Sequence, residues 1–452
     1  MNKLFGTDGI RGEANQYPMN AEIAFNLGRA VGYYYRNKVN KKILIGKDTR
    51  ISGDMLEAAL TAGLCSAGIN VINAGVITTP AVAYLTNYYK ATMGVVISAS
   101  HNPYYDNGIK FFNGNGYKLD NKQEKEIENI LINEEYKGIS IPGKCIGKVQ
   151  LLKDAKNIYI EHVINSINGY FSKNEYKIIF DCANGASSNI VEELFYRLNL
   201  NFKVINNRPN GMNINKKCGS TCPDELQNQV LNEHADLGFA FDGDADRVLA
   251  VDEKGQMIDG DQMMVIYVDA FLKEGQLGNN KIIATYMSNL GFDETIEEIG
   301  GKVIRTDIGD KYVLRKMIGE KALLGGEQSG HIIFLKNSPN GDGIITSLQL
   351  INALTKKDEK ISVQAARMKK YYQKLLNYKI NERYSFLNSK QFNLIKNDLQ
   401  DSFKDMGRIL IRPSGTENKI RILLESRDKN IIDDWVKKLD IFIENYNDKS
   451  QV

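Results

Sequence analysis

KILIGKDTRISGDMLEAAL, residues 42–60, is an apolar strand pattern followed by a small polar loop and then by a helical pattern. The same order returns immediately, since VINAGV at residues 71–76 precedes TPAVAYLTNYY at residues 79–89. In this second helix Thr79 suits the N-cap and Pro80 suits the first helical position. Alternating strands and helices of this kind predict a mostly parallel sheet with helices on both of its faces.

The pattern restarts twice further along the chain. KIIFDCANGASSNIVEELFYRLN begins at residue 177 and KIIATYMSNLGFDETIEEIG begins at residue 281, and each resembles residues 42–60. We therefore expect three α/β units of related design. The last part differs, because GRILIRPSGTENKIRILLES (residues 407–426) predicts two strands around a tight loop, followed by a helix. This indicates a smaller α+β domain, and the charged segment NALTKKDEKIS near residue 357 is a candidate boundary.

Bulk composition excludes several classes of protein. The chain has 452 residues, enough for two to four domains, and its 58 basic and 55 acidic residues leave a net charge of +3. This balance gives no reason to expect a nucleic-acid or membrane surface. The start MNKLFGTDGIRG is too polar for a signal peptide, so we expect a cytoplasmic protein. The five cysteines do not form a disulfide framework, and Cys218 and Cys222 lack the second pair that a zinc site needs.

The first loop with candidate chemistry follows the predicted strand GVVIS. In open α/β sheets ligands bind beyond the carboxyl ends of the strands, which is where Ser98 and Ser100 would lie. A serine hydrolase is one alternative, but it needs a G-x-S-x-G elbow, and no glycine flanks either serine. His101 is adjacent in sequence, so its ring need not reach the Ser100 oxygen. A serine-rich turn ended by Pro103 is the other alternative.

The second loop is FAFDGDADRVLAVD, in which Asp242, Asp244 and Asp246 alternate. Three carboxylates this close repel one another unless a cation lies between them. An EF-hand is excluded because its sixth position would be Arg247 instead of glycine, and because the flanks predict strands instead of helices. A solvated acidic turn would not explain the apolar strands on both sides. Hard oxygen ligands favour Mg²⁺, with a phosphate as a further ligand.

The third loop is LLGGEQSGHIIF, residues 323–334. Glu327 and Ser329 can hydrogen-bond adjacent sugar hydroxyls, and a carboxylate can also bind an ammonium group. His331 belongs to the same loop. The alternative is an ordinary glycine-rich hairpin.

The fourth loop is RPSGTE, which begins at Arg412. A guanidinium offers a planar fork of donors suited to phosphate. The small-residue turn Ser414, Gly415 and Thr416 could cradle an anion with its backbone N–H groups. Arg421 alternates along the next strand and could face the same anion. The alternative is a surface turn.

Together the four loops indicate phosphoryl transfer to a sugar phosphate. The chain has neither a Walker A motif nor the glycine-rich loop and H-R-D of a kinase, so no nucleotide donor is required. The phosphoryl group would then be stored on the protein itself. Ser100 needs no neighbouring base if its resting state is a phosphoserine whose oxygen binds the metal, since catalysis is then mostly positioning and neutralisation of charge.

At this point the sequence resembles a known family, the α-D-phosphohexomutases. The resemblance rests on FGTDGIRG, ISASHNPYYDNGIKFF, FDGDADRVLAVDEKG, GGEQSGHIIF and RPSGTE, which occur in the family's order and cover essentially the whole chain. It implies four domains around a central cleft, the first three sharing one α/β design and the fourth being a smaller α+β domain. On this chain we place them at residues 1–150, 151–256, 257–368 and 369–452.

The resemblance also implies roles for individual residues. The catalytic group is the phosphoserine and its surroundings: Ser100, Lys110, Arg11 and His101. The metal ligands are Ser100, through its phosphate, with Asp242, Asp244 and Asp246. The substrate-binding group is Arg247, Asp310, Glu327, Ser329 and His331. The phosphate-binding group is Arg412, Ser414, Gly415, Thr416 and Arg421. Lys110 or Arg11 would assist proton transfer. The implied cofactors are one Mg²⁺ per subunit and glucosamine 1,6-bisphosphate as activator and intermediate.

Within the family, the match is to members that interconvert glucosamine 6-phosphate and glucosamine 1-phosphate, on the route to UDP-N-acetylglucosamine and the bacterial cell wall. The alternatives are a phosphoglucomutase or phosphomannomutase on the same scaffold, and a non-catalytic sensor of sugar phosphates. The chain departs from the family at Lys311, Cys222 and Asn418, none of which is a catalytic group. We expect a small sugar phosphate as ligand, no nucleic acid or membrane partner, and a homodimer.

Overall fold

A computed structural model describes residues 4–6, 8–39, 41–167, 176–357, 359–413 and 418–449. The chain divides into two compact units. Unit 1 comprises Met1–Met287 and Gly300–Ala366, and unit 2 comprises Ser288–Ile299 and Arg367–Val452. Among the described helices, none combines the length and the hydropathy needed to cross a membrane.

Unit 1 begins with a sheet of strand order β1-β5-β4-β2-β3-β6. Its elements are β1 Ile10–Glu13, α1 Ala21–Tyr34, β2 Lys42–Lys47, α2 Ser52–Ser66, β3 Asn70–Val76, α3 Thr79–Tyr88, β4 Met93–Ile97, β5 Asp106–Asn113, α4 Asn121–Ile132 and β6 Val149–Leu151. Strands β2, β3, β4 and β6 run parallel, whereas β5 and β1 pair antiparallel. The predicted parallel sheet is therefore present, and β5, which runs opposite to the other five strands, makes it a mixed sheet.

Helix α2 shows why this sequence packs as it does. Leu56, Leu60 and Leu64 recur every four residues, so they form one stripe on the helix surface. All three are fully buried in a core that also contains Ile43 and Ile45 of β2. The strand and helix predicted from residues 42–60 thus bury their apolar faces in the same core.

The start of α3 corrects one prediction. The N-cap is Thr78, whose hydroxyl accepts from the Ala81 N–H, while Thr79 is already the first helical residue. The sequence favoured Thr79 because it directly precedes proline. The structure uses the Thr79 hydroxyl elsewhere, as a donor to Asp244.

The second sheet has strand order β11-β10-β9-β7-β8. Its elements are α5 Ala155–Asn165, β7 Lys177–Asp181, α6 Val191–Arg197, β8 Asn201–Ile205, α7 Asp224–Asn232, β9 Leu237–Phe241, β10 Val248–Asp252 and β11 Met257–Ile258. Strand β7 is parallel to β8 and β9, and β9 pairs antiparallel with β10. The acidic loop is therefore flanked by strands, as predicted.

The third sheet has strand order β13-β12-β14-β15. The elements of this part of the chain are α8 Gly260–Lys273, β12 Lys281–Thr285, α9 Leu290–Glu298, β13 Lys302–Thr306, α10 Asp310–Glu320, β14 Leu324–Gly326, β15 Ile332–Phe334, α11 Gly343–Thr355 and α12 Ile361–Ala365. Strand β12 is parallel to β13 and β14, and β15 is antiparallel to β14. Helix α9 belongs to unit 2.

The three sheets share one topology. Each contains the order β3-β2-β4-β5, β8-β7-β9-β10 or β13-β12-β14-β15, in which three parallel strands are followed by one antiparallel strand. This equivalence confirms the three related α/β units that the strand–loop–helix repeats predict.

Unit 2 is a smaller antiparallel structure with strand order β16-β18-β17. Its further elements are β16 Tyr372–Lys379, α13 Arg383–Asn388, α14 Lys390–Phe403, β17 Gly407–Pro413, β18 Lys419–Ser426 and α15 Lys429–Lys449. Phe386, Phe392 and Trp435 are buried in its own apolar core. The fold class, three mixed α/β sheets with a smaller α+β part, is therefore confirmed.

Candidate functional site

The candidate residues lie on equivalent loops of the three α/β repeats. Ser100 is on the β4–β5 loop, the three aspartates are on the β9–β10 loop, and Glu327 with Ser329 is on the β14–β15 loop. Each of these loops follows the carboxyl end of a parallel strand, where ligands bind in open α/β sheets. One topology thus places all three sets of side chains at corresponding positions.

Ser100 is buried and aimed at the acidic loop. Its Oγ donates to Asp242 Oδ2 over 2.5 Å, and its backbone N–H donates to Ser98 Oγ over 2.9 Å. The Nδ1 of His101 lies 3.3 Å from the same Oγ, so the neighbouring ring does reach the serine oxygen. Burial, followed by the nearby charges of Arg247 and Arg11, lowers the pKa of His101 to about 4. At neutral pH the ring is therefore uncharged.

The acidic loop brings its three carboxylates together. Asp242, Asp244 and Asp246 are all buried, and each offers one oxygen within 4.8 Å of the others. The loop approaches Ser100 so closely that a Cβ on Gly243 would lie 2.6 Å from the Ser100 carbonyl oxygen. Only glycine permits this approach, since real Cβ atoms do not come so near to a backbone oxygen.

The donor set fits a hard divalent cation. Within the part of the chain that the structure describes, neither Asp244 Oδ1 nor Asp246 Oδ1 has a hydrogen-bond partner, although both are buried. Buried polar atoms without partners are rare unless an ion or water satisfies them. Carboxylate oxygens are the ligands that Mg²⁺, Mn²⁺ and Ca²⁺ prefer.

The carboxylates influence one another's protonation. Burial, followed by the charges of Asp246 and Asp244, raises the pKa of Asp242 well above its usual range. Burial would also raise the pKa of Asp246, but Lys110, His331 and Arg247 together outweigh it and hold that pKa well below the usual range.

Lys110 supplies the central positive charge. Its Nζ lies 2.9 Å from Asp244 Oδ2, 3.2 Å from Asp8 Oδ2 and 3.7 Å from Asp246 Oδ2. Burial would lower the pKa of Lys110, but these carboxylates outweigh burial and raise it, so the ammonium stays charged. The Thr79 hydroxyl also donates to Asp244 Oδ2 over 2.6 Å.

The two candidate arginines extend this cluster in different directions. Arg11 Nη2 pairs with Asp8 Oδ2 over 2.7 Å. The Arg247 backbone N–H donates to Asp242 Oδ1 over 3.1 Å, and its Nε lies 3.7 Å from Asp246 Oδ1. The negative charges around Arg247 outweigh its burial and raise its pKa.

Lys118 connects the charged groups around Lys110 to helix α10. Its ammonium forms ion pairs with Asp8 and with Asp310, the first residue of α10. His331 lies between two carboxylates, with Nδ1 3.8 Å from Asp246 Oδ2 and Nε2 3.7 Å from Asp310 Oδ2. The candidate residues of the three repeats thus meet in one charged network.

The β14–β15 loop makes hydrogen bonds through Glu327. Glu327 Oε1 accepts from the Gly309 N–H over 3.1 Å, and Ser329 Oγ lies 3.5 Å from Glu327 Oε2. Lys311, next to Asp310, donates to Glu124 Oε1 over 2.5 Å. Lys311 therefore forms an ion pair with α4.

Unit 2 carries the candidate phosphate-binding residues. Arg412 on β17 and Arg421 on β18 are direct cross-strand partners. Burial, followed by the charge of Arg421, lowers the pKa of Arg412. The cross-strand pairing brings two positively charged residues to neighbouring positions, which suits the binding of an anion such as phosphate. Ser414, Gly415 and Thr416 lie outside the described residues.

Sequence reasoning missed three members of the network: Asp8, Thr79 and Lys118. Asp8 belongs to the quoted motif FGTDGIRG, but nothing local shows that it faces Lys110. Lys118 follows β5 in the segment NGYKLD, which has no pattern of its own.

Comparisons with known proteins agree with this architecture. Four models of the phosphoglucomutase/phosphomannomutase family match the chain: alpha/beta/alpha domain I at residues 2–137, domain II at 157–255, domain III at 259–371 and the C-terminal domain at 350–441. In the crystal structure of a family member from Burkholderia thailandensis the fold is similar, with a TM-score of 0.82 at 22% identity over 97% of both chains.

Two further proteins carry more specific names. The N-acetylphosphoglucosamine mutase of Aspergillus fumigatus, solved in complex with GlcNAc-6P and magnesium, has a similar fold, with a TM-score of 0.67 at 17% identity over 98% of this chain and 96% of that one. The phosphoglucosamine mutase of Acetivibrio thermocellus is 48% identical over 438 residues, covering 96% of this chain and 97% of its own length. Because all four family models match in order and a full-length relative is this similar, the chain belongs to the phosphoglucomutase/phosphomannomutase family.

Proposed function

We propose that this protein is a phosphoglucosamine mutase, which interconverts glucosamine 6-phosphate and glucosamine 1-phosphate. The contact between Ser100 Oγ and Asp242 Oδ2 carries the proposal, because it places a hydroxyl that can act as a nucleophile against a cluster of three buried carboxylates. The relative at 48% identity, named phosphoglucosamine mutase, supports the choice of substrate. The product would enter the synthesis of UDP-N-acetylglucosamine.

In the first half-reaction a phosphoryl group leaves Ser100 Oγ for a hydroxyl oxygen of the sugar phosphate. The Oγ–P bond breaks, the new P–O bond forms, and the proton of the sugar hydroxyl passes in net terms to Ser100 Oγ. The product at this stage is glucosamine 1,6-bisphosphate. In the second half-reaction Ser100 Oγ takes the other phosphoryl group, the bond between that phosphorus and the sugar oxygen breaks, and the serine proton passes in net terms to the sugar oxygen, so the phosphoserine is regenerated.

The acidic loop would hold one Mg²⁺ through Asp242, Asp244 and Asp246, together with an oxygen of the Ser100 phosphate. When bound, the ion would neutralise phosphate charge and polarise the transferring group. The buried oxygens of Asp244 and Asp246 that have no hydrogen-bond partner among the described residues support this assignment.

Lys110 and Arg247 would stabilise the negative charge around the transferring group. The raised pKa of Lys110 keeps its ammonium charged, which favours electrostatic stabilisation over the role of general base. His101 is uncharged at neutral pH and its Nδ1 lies beside Ser100 Oγ, so it could accept a proton. Arg11, which forms an ion pair with Asp8, would add positive charge next to these residues.

Recognition of the sugar would rest on the β14–β15 loop. Glu327 and Ser329 would bind adjacent hydroxyls, and a carboxylate is the natural partner of the glucosamine ammonium group. Asp310 and His331 would complete this part of the site. In unit 2, Arg412 and Arg421 would bind a phosphate with the turn of Ser414, Gly415 and Thr416.

The experiment is a coupled assay with glucosamine 6-phosphate, glucose 6-phosphate and mannose 6-phosphate at equal concentrations. We expect the highest kcat/KM with glucosamine 6-phosphate, and we expect turnover to require a divalent cation and a phosphorylated Ser100. A higher kcat/KM with glucose 6-phosphate or mannose 6-phosphate would instead favour the phosphoglucomutase or phosphomannomutase alternative.

A further inference from the structure

The backbone of Ser100 has an unusual conformation. Its φ is +53°, in the left-handed region that costs a non-glycine residue roughly 1 kcal/mol or more. Such a conformation persists only where the surroundings hold it. The carbonyl oxygen of Ser100 accepts two side-chain hydrogen bonds, from Arg50 Nη2 over 2.9 Å and from Asn215 Nδ2 over 2.8 Å.

The Arg50 side chain binds the backbone of residues 100–106, the segment that begins with Ser100. Its guanidinium donates to four backbone carbonyl oxygens of the loop, those of Ser100, Asn102, Pro103 and Asp106. The Nη2 distance to Asn102 is 2.8 Å, and the Nη1 distance to Asp106 is 3.0 Å. The residue is only 2% exposed, so water does not compete for these donors. One planar side chain thus fixes the path of the loop.

A buried carboxylate orients this guanidinium. Arg50 Nε donates to Asp48 Oδ2 over 2.8 Å, and the Arg50 N–H donates to Asp48 Oδ1 over 3.0 Å. The Ser98 hydroxyl donates to Asp48 Oδ2 over 2.7 Å, and Ser98 Oγ in turn accepts from the Ser100 N–H. The Ser100 N–H is therefore bound to Ser98 and the Ser100 carbonyl oxygen to Arg50, and both of these partners are bound to Asp48.

Asn215 holds the loop from the second α/β repeat. Its Nδ2 donates to the carbonyl oxygens of Ser100 and Asn102, and its own N–H donates to the Ala183 carbonyl over 2.9 Å. A Cβ on Gly243, in the acidic loop, would lie 2.9 Å from the same Nδ2. Asn215 thus contacts the serine loop and lies against the acidic loop.

We propose that Arg50 and Asn215 are positioning residues, which fix the Ser100 carbonyl and so aim its Oγ at the carboxylates of the acidic loop. They act through Ser100 and do not touch the sugar phosphate. This proposal rests on the proposed function where it concerns turnover. A displacement of about 1 Å at a reacting atom lowers a rate on the order of 100-fold.

The test uses Asn215→Gly in the full-length protein. Asn215 has a φ of +56°, which glycine adopts freely, so the substitution removes the donor without backbone strain. The matched control is Asn199→Gly, because Asn199 is an exposed residue with a φ of +53°. A second variant, Arg50→Lys, keeps the positive charge beside Asp48 and removes the planar fork.

We expect Asn215→Gly to lower kcat on the order of 100-fold while KM for glucosamine 6-phosphate stays within about twofold, since ground-state binding is untouched. Asn199→Gly should keep the wild-type kcat. In the same proteins without substrate, hydrogen exchange should be faster at residues 99–106 in Asn215→Gly and Arg50→Lys, but not in the control.

Two results would overturn the proposal. One is a folded Asn215→Gly protein with wild-type kcat and wild-type exchange at residues 99–106. The other is an equal loss of kcat in Asn199→Gly, which would show a general effect of loosening the chain. An inactive wild-type protein would instead contradict the proposed function, and the exchange measurement would then decide alone whether Asn215 orders the loop.

Discussion

Ser100 Oγ and Asp242 Oδ2 lie 2.5 Å apart, although 142 residues separate them along the chain. The two residues occupy equivalent loops, β4–β5 and β9–β10, of two related sheets. The contact therefore depends on how the repeats pack against each other, and a glycine at position 243 lets the loops approach. Ser100 Oγ donates directly to the acidic triad, and among the described residues no hydrogen bond joins the His101 ring to a carboxylate, which separates this site from that of a serine hydrolase.

Ser100→Ala should abolish turnover and the phosphorylated form of the protein. The hydroxyl is the proposed phosphoryl carrier, and alanine keeps almost the same volume, so the fold should remain. Mass spectrometry would measure the phosphate and the coupled assay would measure turnover. Ser66→Ala is the control, since the Ser66 hydroxyl only donates to the Gly63 carbonyl within α2. Activity in Ser100→Ala near that of the control would contradict a phosphoserine mechanism.

Asp244→Asn should raise the Mg²⁺ concentration needed for half-maximal activity by about tenfold or more, because one of three ligand charges is lost. It should also lower kcat, since Lys110 loses its nearest carboxylate. Titration of activity with Mg²⁺ provides the measurement. Asp236→Asn is the control, because this exposed aspartate accepts from the Lys177 N–H and lies outside the acidic loop. An unchanged Mg²⁺ requirement in Asp244→Asn would exclude Asp244 as a ligand.

The fold was predictable because its signals are local. In residues 42–60 the apolar strand, the polar loop and the leucines of α2 stand side by side in the chain, and the structure has β2 and α2 there. The same holds for the strands around the acidic loop. The three aspartates were predictable for a related reason, since alternating carboxylates between apolar strands are unfavourable without a cation.

The charged network was less predictable, because its pairs are distant in sequence. Lys118 contacts Asp8 and Asp310, and no spacing in the chain indicates either pair. Thr79 was assigned to a helix cap because proline follows it, whereas the structure caps with Thr78 and uses Thr79 to bind Asp244. No pattern in the sequence indicates the role of Arg50, since besides Asp48 its partners are backbone carbonyls, which every residue has.

Asp342→Asn should remove a pH dependence of stability. Burial raises the pKa of Asp342 to about 6, against about 3.9 in an unfolded chain. A raised folded-state pKa favours the protonated form, so its stabilising effect is complete below about pH 4 and is lost as the pH rises through about 6. Asparagine keeps the N-cap to α11 and its amide can donate to the Tyr159 hydroxyl.

The free energy of unfolding of Asp342→Asn, relative to that of the wild type, should therefore rise by on the order of 3 kcal/mol between about pH 4 and about pH 8. Urea unfolding of both proteins at several pH values measures this difference. Asp120→Asn, at the exposed N-cap of α4, reports the effect of the same change without burial. A difference between Asp342→Asn and the wild type that does not change with pH would show that Asp342 is not the responsible group.

Arg412→Ala should weaken binding of the sugar phosphate in both directions of the reaction. Charge-assisted hydrogen bonds contribute roughly 1.5–3 kcal/mol each, so KM should rise about tenfold to a hundredfold. Inorganic phosphate should raise the melting temperature of the wild type more than that of the variant. Lys374→Ala, an exposed cation on β16, is the control. An effect on one direction alone would contradict a phosphate site shared by both.

Lys118→Met should destabilise the protein by removing the main cationic partner of Asp310, whose side chain is 18% exposed, so the loss should lie below the roughly 3–5 kcal/mol of a fully buried pair. Asp8 would keep Arg11 and Lys110, whereas Asp310 would lose its stronger cationic partner and keep His331 at 3.7 Å. In the wild type, burial would raise the pKa of Asp310, but Lys118 and His331 outweigh it and lower that pKa. Without Lys118 the pKa of Asp310 should rise.

A double-mutant cycle with Asp310→Asn separates this pair from general loss of packing. The double variant should be more stable than the sum of the two single losses predicts, because the uncompensated charge is gone. The deficit of Lys118→Met should also shrink as the pH falls, since protonation of Asp310 removes its charge. Urea unfolding of the four proteins at about pH 5 and about pH 8 gives both comparisons. Strictly additive losses that are independent of pH would show that Lys118 stabilises the protein by packing and not by pairing with Asp310.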